Sequence, residues 1–364
     1  MYQALLSDIV SPSKSIRRGN KPIPFLSMSS GSGLLLAEDS YDSGNSLESA
    51  KIVRYGQLVA GTHMDEGSIW VQNIIKEGAV SRVYDVFDVD SEKVYPEYLN
   101  YALHTDECLK FYRNFAIGSN LRRCKVPWTS LKSMPVRIPE LEEQKTSVNL
   151  MRNANSLSML IDAALSKINS AESSLFLKNT QNSSSKTIKK IADLSFGRTP
   201  TSNRVISSKF IPFISGSSDF DIVFANSHKV VDSAEKIIEP NSVLVTVRDP
   251  VGEVNISPER CAIGRGIAGI TPKKGVSNHC YLYLALNSKK AELRSIAHGV
   301  IKGISPKDLA SIELPYVDIE TQSSMAKAFE RLESMRSILH SMSSSVDMLK
   351  RKILQTKFSV SVVA

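Results

Sequence analysis

Basic side chains recur in short, turn-like stretches of this 364-residue chain. SIRRGNK spans Ser15 to Lys21, NLRRCK spans Asn120 to Lys125, and GRTPTSNR spans Gly197 to Arg204. TVRD sets Arg248 at a strand-like end, HGVIKG sets Lys302 after Gly299, and AVSR and AIGR carry Arg82 and Arg265. Arginine in a glycine-rich loop can grip phosphate with a bidentate fork or read a guanine edge. The candidate contacts to a polyanion are therefore Arg17, Arg18, Lys21, Arg82, Arg122, Arg123, Arg198, Arg204, Arg248, Arg265 and Lys302. The net charge of +8 and pI near 9.1 suit a partner with a negative surface, of which nucleic acid is the commonest. A merely basic soluble protein would carry the same charge, so the placement of these residues matters more than their sum.

Catalytic patterns are missing. The chain has no phosphate-binding loop, no G-x-S-x-G elbow and no H-E-x-x-H pair. The Asn/Asp-Pro-Pro-aromatic tetrad of amino-methyltransferases is absent too, since RDPV (Arg248–Val251) lacks the second proline and the aromatic. GRG at Gly264–Gly266 is too short for a dinucleotide fingerprint. DVFDVDSE (Asp85–Glu92) lacks the glycine and spacing of a calcium loop and reads as a solvated strand end. The six histidines have no visible partners. Cys108, Cys124, Cys261 and Cys280 lack metal-ligand spacing and read as reduced thiols of a cytoplasmic protein. The expectation is a non-catalytic chain with no metal and no cofactor of its own.

The elements that must position these loops come twice. Length suggests about two domains, and 42% hydrophobic with 23% charged residues fits a soluble globular chain. No apolar run approaches the ~18 residues of a membrane helix, and the N-terminus does not read as a signal peptide. PFLS (Pro24–Ser27) pairs with PFIS (Pro212–Ser215), AVSR (Ala79–Arg82) with AIGR (Ala262–Arg265), and YLNYAL (Tyr98–Leu103) with YLYLAL (Tyr281–Leu286). Gly118 pairs with Gly299, Leu131 with Leu309, and ELEEQ (Glu140–Gln144) with DIETQ (Asp318–Gln322). The order is kept while the offset drifts from 188 to 178, as loop insertions and deletions would make it. Short strands are expected at PFLS, QLVA, VYDVFDV, FIPFIS and NSVLVTV. Helices are expected at YPEYLNYALHTDECLKFYRNF and HCYLYLALNSKKAELRSIA, with NTQNSSSK (Asn179–Lys186) as a linker.

After each glutamine comes a heptad without proline or glycine. The first seam reads Ser147, Leu150, Ala154, Leu157, Ile161, Ala164, Ile168, Ala171 and Leu175. The second reads Met325, Ala328, Leu332, Met335, Leu339, Met342, Val346, Leu349 and Ile353. Alternating steps of three and four are those of a coiled coil. Helices of ~35 residues, roughly 50 Å long, need a partner along their length, and each supplies it to the other. Small residues of the first seam (Ala154, Ala164, Ala171) are set against bulky ones of the second (Leu332, Met342, Leu349).

Two globular units, each followed by a strand, a proline turn, (D/E)-x-E-x-Q and a long heptad helix, resemble the specificity subunit of Type I restriction–modification enzymes. G-x-T-P at Gly197–Pro200 is similar to the start of that family's target recognition domains, whereas the first half has SPSKSIRRGN in its place. The resemblance covers the whole chain and is strongest at VRIPELEEQ through Leu175 and ELPYVDIETQ through Ile353.

The resemblance implies an α+β fold: two tandem α/β target recognition domains, each followed by a long helix, the helices forming an antiparallel coiled coil with pseudo-twofold symmetry. Residues 1–136 and 183–314 would be the recognition domains, 137–182 the first spacer helix and linker, and 315–364 the second spacer helix. It further implies that the chain reads a bipartite double-stranded DNA target and docks two modification subunits. Restriction subunits would join them, and S-adenosylmethionine, ATP and Mg would sit on those partners. A coiled-coil scaffold that binds proteins and not DNA is the competing reading, argued against by the duplicated basic loops. An autonomous nuclease is a further one.

Overall fold

The computed structural model describes residues 3–14, 16–19, 21–29, 33–37, 48–117, 124–198, 211–231, 235–299 and 303–359. The chain divides into two compact units, residues 1–161 with 342–364, and residues 162–341. Each unit thus holds part of both long helices, Leu141–Thr180 and Ile319–Ile353.

The first unit is built on a four-stranded antiparallel sheet ordered Val10–Pro12, Asp85–Val89, Leu58–Ala60, Ile69–Val71. The second repeats it with Ala192–Phe196, Ile267–Pro272, Val243–Thr246 and Val254–Ile256. A further layer carries the repeat's rare parallel pairing: Phe25 meets Ala79 in the first unit and Phe213 meets Ala262 in the second. The central strands are short apolar runs buried on both faces: Leu58 and Ala60 enter the first unit's main core and Val59 a smaller cluster behind it, as Val243 and Val245 do in the second unit with Leu244 behind.

Both expected helical stretches are split. Thr105 accepts a hydrogen bond from Cys108 N and starts a new helix at Asp106–Phe115, separate from Pro96–Ala102. His279–Ser288, capped by Asn278, ends before Lys290–Ser295. The expected linker is shorter than NTQNSSSK, because the first long helix runs to Thr180 and Ser184–Thr187 is a strand paired with Glu313–Tyr316. In its counterpart the strand expected before ELEEQ, Pro135–Arg137, pairs with Gln3–Leu5, which escapes sequence reading because a three-residue strand carries no readable period.

The repeated glutamine is a clasp. Gln144 is fully buried; its Oε1 accepts from Tyr95 N at 2.8 Å, and its Nε2 donates to Lys93 O at 3.0 Å and Pro139 O at 2.7 Å. Gln322, equally buried, accepts from Asn278 N at 3.1 Å and donates to Val276 O at 3.1 Å and Val317 O at 2.8 Å. Each glutamine ties the start of a long helix to the loop entering the unit's first core helix. Asp318 caps its helix by accepting from Thr321 N at 2.8 Å.

Within each unit the long helices run antiparallel. In the first, Val148, Met151, Ala154 and Ile353 share one core. In the second, Phe176 shares a core with Met325 and Phe329, and Arg336 Nη2 lies 2.7 Å from Glu172 Oε1.

One third of the expected seam is displaced by one residue. Ser147, Ala154, Ile161, Ala164, Ile168, Leu175, Met325, Ala328, Leu332, Leu339, Val346 and Ile353 are buried or half-buried as expected. Leu150, Leu157, Met335, Met342 and Leu349 are instead 38–55% exposed, and Ala171 is exposed too. The inward places go to the next positions along: Met151, Ser158, Leu165 and Glu172 on one helix, Phe329, Arg336, Ser343 and Lys350 on the other. That row is rich in polar residues, so a search for apolar periodicity selects its outward neighbour.

Candidate nucleic-acid interface

In the second unit the basic stretches gather on one cavity of 390 Å³. Its lining is rich in glycine, with Gly216, Gly264 and Gly266 beside Phe213, Ser215, Ser217, Thr246, Arg248, Asp249 and Pro250. Arg265 stands between two of these glycines. Gly197 packs so closely that a Cβ there would fall 2.1 Å from Gly264 O, and Arg198 N donates to Ile263 O at 3.1 Å. Arg248, in the cavity lining, bridges Gly303.

Hydrogen bonds hold the serine rim in place. Asp219, 5% exposed, accepts from Ser215 N and Ser215 Oγ at 2.7 Å and from Lys229 Nζ at 2.8 Å. Burial raises the Asp219 pKa, but Lys229 and Ser215 outweigh it and hold the carboxyl below its ordinary value.

Arg248 and Arg265 are exposed, and among the described residues neither has a carboxylate within salt-bridge distance. Many other arginines of the unit are taken: Arg198 by Glu235 at 2.6 Å, Arg260 by Glu239, Arg294 by Glu253 and Arg336 by Glu172. Free guanidiniums on a glycine-rich cavity offer donors to an external anion or base edge.

The first unit is laid out alike. Arg82 is exposed in the turn between Glu77–Val80 and Asp85–Val89, and His63 bridges Cys124, which follows residues 118–123. Arg17 and Lys21 are exposed, Arg17 bridges Lys51, and Arg18 is half-buried with its N–H on Ala50 O. Arg122, Arg123, Arg204 and Lys302 lie outside the described residues. Sequence reading passed over Lys51 and Lys125, which flank Asp85 at 3.6 and 2.8 Å; only the sheet brings these three together.

The described thiols are not poised as nucleophiles. Burial pushes the Cys108 thiol up to about 11 and that of Cys280 up to about 12. Among the described residues no cluster of three His, Cys, Asp or Glu could hold a metal, and no helix is long and apolar enough to cross a membrane.

Residues 181–344 match the Type I restriction modification DNA specificity domain. Over 288 residues the chain is 25% identical to a Methanocaldococcus jannaschii chain named for the MjaX specificity subunit of a type I restriction enzyme, spanning 73% of this chain and 68% of that one. The S subunit of the Type-I restriction-modification system from M. genitalium shares the fold with a TM-score of 0.65 at 14% identity, over 99% of this chain and 96% of that one. A chain from a type I R-M assembly also shares it, with a TM-score of 0.63 at 17% identity over 98% and 97%. Residues 181–344 thus carry the DNA specificity domain of Type I restriction–modification systems, and the chain as a whole is similar to their specificity subunits.

Proposed function

We propose that each unit reads one half of a bipartite duplex DNA target, with residues 1–136 and 183–314 as the recognition domains. The helices, in 137–182 and 315–364, set the unread spacer. The observation that carries this is the cavity of the second unit, lined by Arg248 and Arg265, neither of which has a carboxylate within salt-bridge distance among the described residues. Lys and Arg neutralise phosphates and fix register, and a few loop side chains read base edges.

The chain neither transfers methyl groups nor cuts; S-adenosylmethionine, ATP and Mg act on partner subunits, in the cytoplasm. Two modification subunits dock on the helices. Support comes from a duplicated apolar surface: Leu157 and Leu160 are 38% and 67% exposed, and Met335 and Ile338, 178 residues on, are 55% and 61% exposed. A patch that occurs once in each unit suits two copies of one partner. Restriction subunits complete the assembly.

The test is to assemble the chain with its modification partner and map methylated sites. A motif of two halves around a fixed spacer is expected. Four residues inserted after Ala164, with a matching insertion in the second helix, add ~6 Å per helix, about two base steps. The spacer should then lengthen by one or two pairs with the halves unchanged. A continuous motif, or an active enzyme with an unaltered spacer, refutes the proposal.

A further inference from the structure

The two units can be aligned residue by residue from their own strand registers, without appeal to sequence similarity. Ala79 and Ala262 hold the same place, each pairing in parallel with the corresponding phenylalanine, Phe25 or Phe213. Counting forward, Arg82 coincides with Arg265 and Asp85 with Ala268. Ala60 pairs with Asp85 and Val245 with Ala268, so Ala60 coincides with Val245 and, three residues on, His63 with Arg248. The two positions also meet corresponding neighbours: His63 bridges Cys124 and Arg248 bridges Gly303, the residues that follow 118–123 and 300–302, although the first bridge is parallel and the second antiparallel.

One position of the rim is therefore the same in both units, and the other differs. A contact to phosphate is required by any duplex and is indifferent to sequence, whereas a base contact must change when the half-site changes. We infer that Arg82 and Arg265 are equivalent phosphate anchors, and that Arg248 is the base reader of the second unit, taking a guanine through its two-pronged fork. His63 occupies the corresponding reading position in the first unit. This inference rests on the DNA-reading function proposed above.

The chemistry of the cavity fits the division of labour. Arg265 sits between Gly264 and Gly266, where the lack of side chains lets a backbone phosphate approach. Arg248 lines the same cavity, its Cβ 4.0 Å from where a Cβ at Gly266 would fall, and is followed by Asp249, an acceptor suited to the amino group of the cytosine paired with that guanine. A carboxylate beside Arg248 opposes phosphate there and leaves a base-pair edge as the ligand. His63 lacks the guanidinium fork and offers at most a single-nitrogen contact, so it reads its base differently.

The experiment uses the chain assembled with its modification subunits, a duplex pool with randomised positions, and a salt titration on the recovered motif. Arg248→Ala should cut the preference for guanine at one position of one half-site by tenfold or more, leaving the other half intact. His63→Arg should change a position in the other half-site only. Arg82→Ala and Arg265→Ala should weaken all sequences alike and lower the slope of log K against log salt by about one each. Unfolding midpoints of these exposed variants check that the fold is kept. The assignment is overturned if Arg248→Ala leaves the motif unchanged or weakens all sequences uniformly, or if Arg82→Ala or Arg265→Ala relaxes a base position. If the unsubstituted complex recovers no motif at all, it is the DNA-reading function that fails.

Discussion

The two units share strand order, the parallel pairing and the glutamine clasp, yet they spend their charge differently. In the first, Lys51 and Lys125 lie on Asp85, beside a hollow of 190 Å³ lined by Trp128. In the second, Ala268 stands where Asp85 would be, and the rim arginines have no carboxylate within salt-bridge distance among the described residues. The difference teaches that the scaffold is held by buried, duplicated contacts, while the cavity rim is free to diverge. The proposed reading of two half-sites with one fold needs that separation.

The sharpest way to break the comparison is at the aromatic anchors. Phe358, 1% exposed, stacks on Tyr98 at 4.8 Å and Tyr101 at 5.2 Å. Phe176 lies 6.5 Å from Tyr281 in the second unit's core. Alanine at either should cost about 3–5 kcal/mol. Hydrogen exchange should show the loss in the first unit for Phe358→Ala and in the second for Phe176→Ala. Equal loss in both units from one substitution would mean that they unfold as one.

Next is a feature the second unit has alone. Arg336, 4% exposed, sits 2.7 Å from Glu172, off the line of a hydrogen bond, and donates to Asn169 Oδ1 at 3.1 Å and to Glu333. The matching positions in the first unit are Ser158 and Lys350, and among the described residues the ion-pair partner of Lys350 is Asp347, at 4.0 Å. Arg336→Leu leaves buried carboxylates uncompensated and should cost about 3–5 kcal/mol in denaturant titration, with the double substitution Arg336→Leu, Glu172→Leu recovering most of it. Ser158→Ala should do almost nothing.

Gln144→Ala and Gln322→Ala test the likeness of the units. Each strands three backbone groups at a helix start, and each should cost about 1–3 kcal/mol by thermal unfolding. Unequal losses would show that one clasp is shared with other contacts.

A smaller effect is confined to the second unit. Because the Asp219 pKa is lowered in the folded state, its contribution is full above the ordinary aspartate value and is lost as pH falls through the folded value. Asp219→Asn should flatten the acid limb of the second unit's stability and cost about 1 kcal/mol near neutrality.

Much of this was legible in the residues. The duplication, the long helices and the Arg82–Arg265 correspondence follow from local motifs that survive in both halves. The clasp role of glutamine did not follow, because its partners at 93, 95 and 139 meet only after folding. Nor did one row of the seam: polar Glu172, Arg336 and Lys350 occupy inward places, and periodicity in apolar residues cannot see them. The neutralisation of Lys51 and Lys125 depends on strands distant in sequence.

The outward apolar row gives the smallest effect on the chain and the most telling contrast with its assembly. Leu157 and Met335 were expected to lie between the helices, and instead face outward in equivalent places of the two units. If they bury little against their own chain, Leu157→Ser and Met335→Ser should each change its stability by no more than about 0.5 kcal/mol. A true seam residue such as Ile168, 4% exposed, should cost several times more when cut to alanine. The same two serine variants should weaken capture of the modification subunits, because a partner helix would desolvate those side chains. Since the patch recurs, each variant should remove one binding event and leave the other, giving a complex with one modification subunit by native mass measurement. Loss of both subunits from a single substitution would mean that the two sites are coupled. Full retention in the double variant would move the docking surface off this face of the helices.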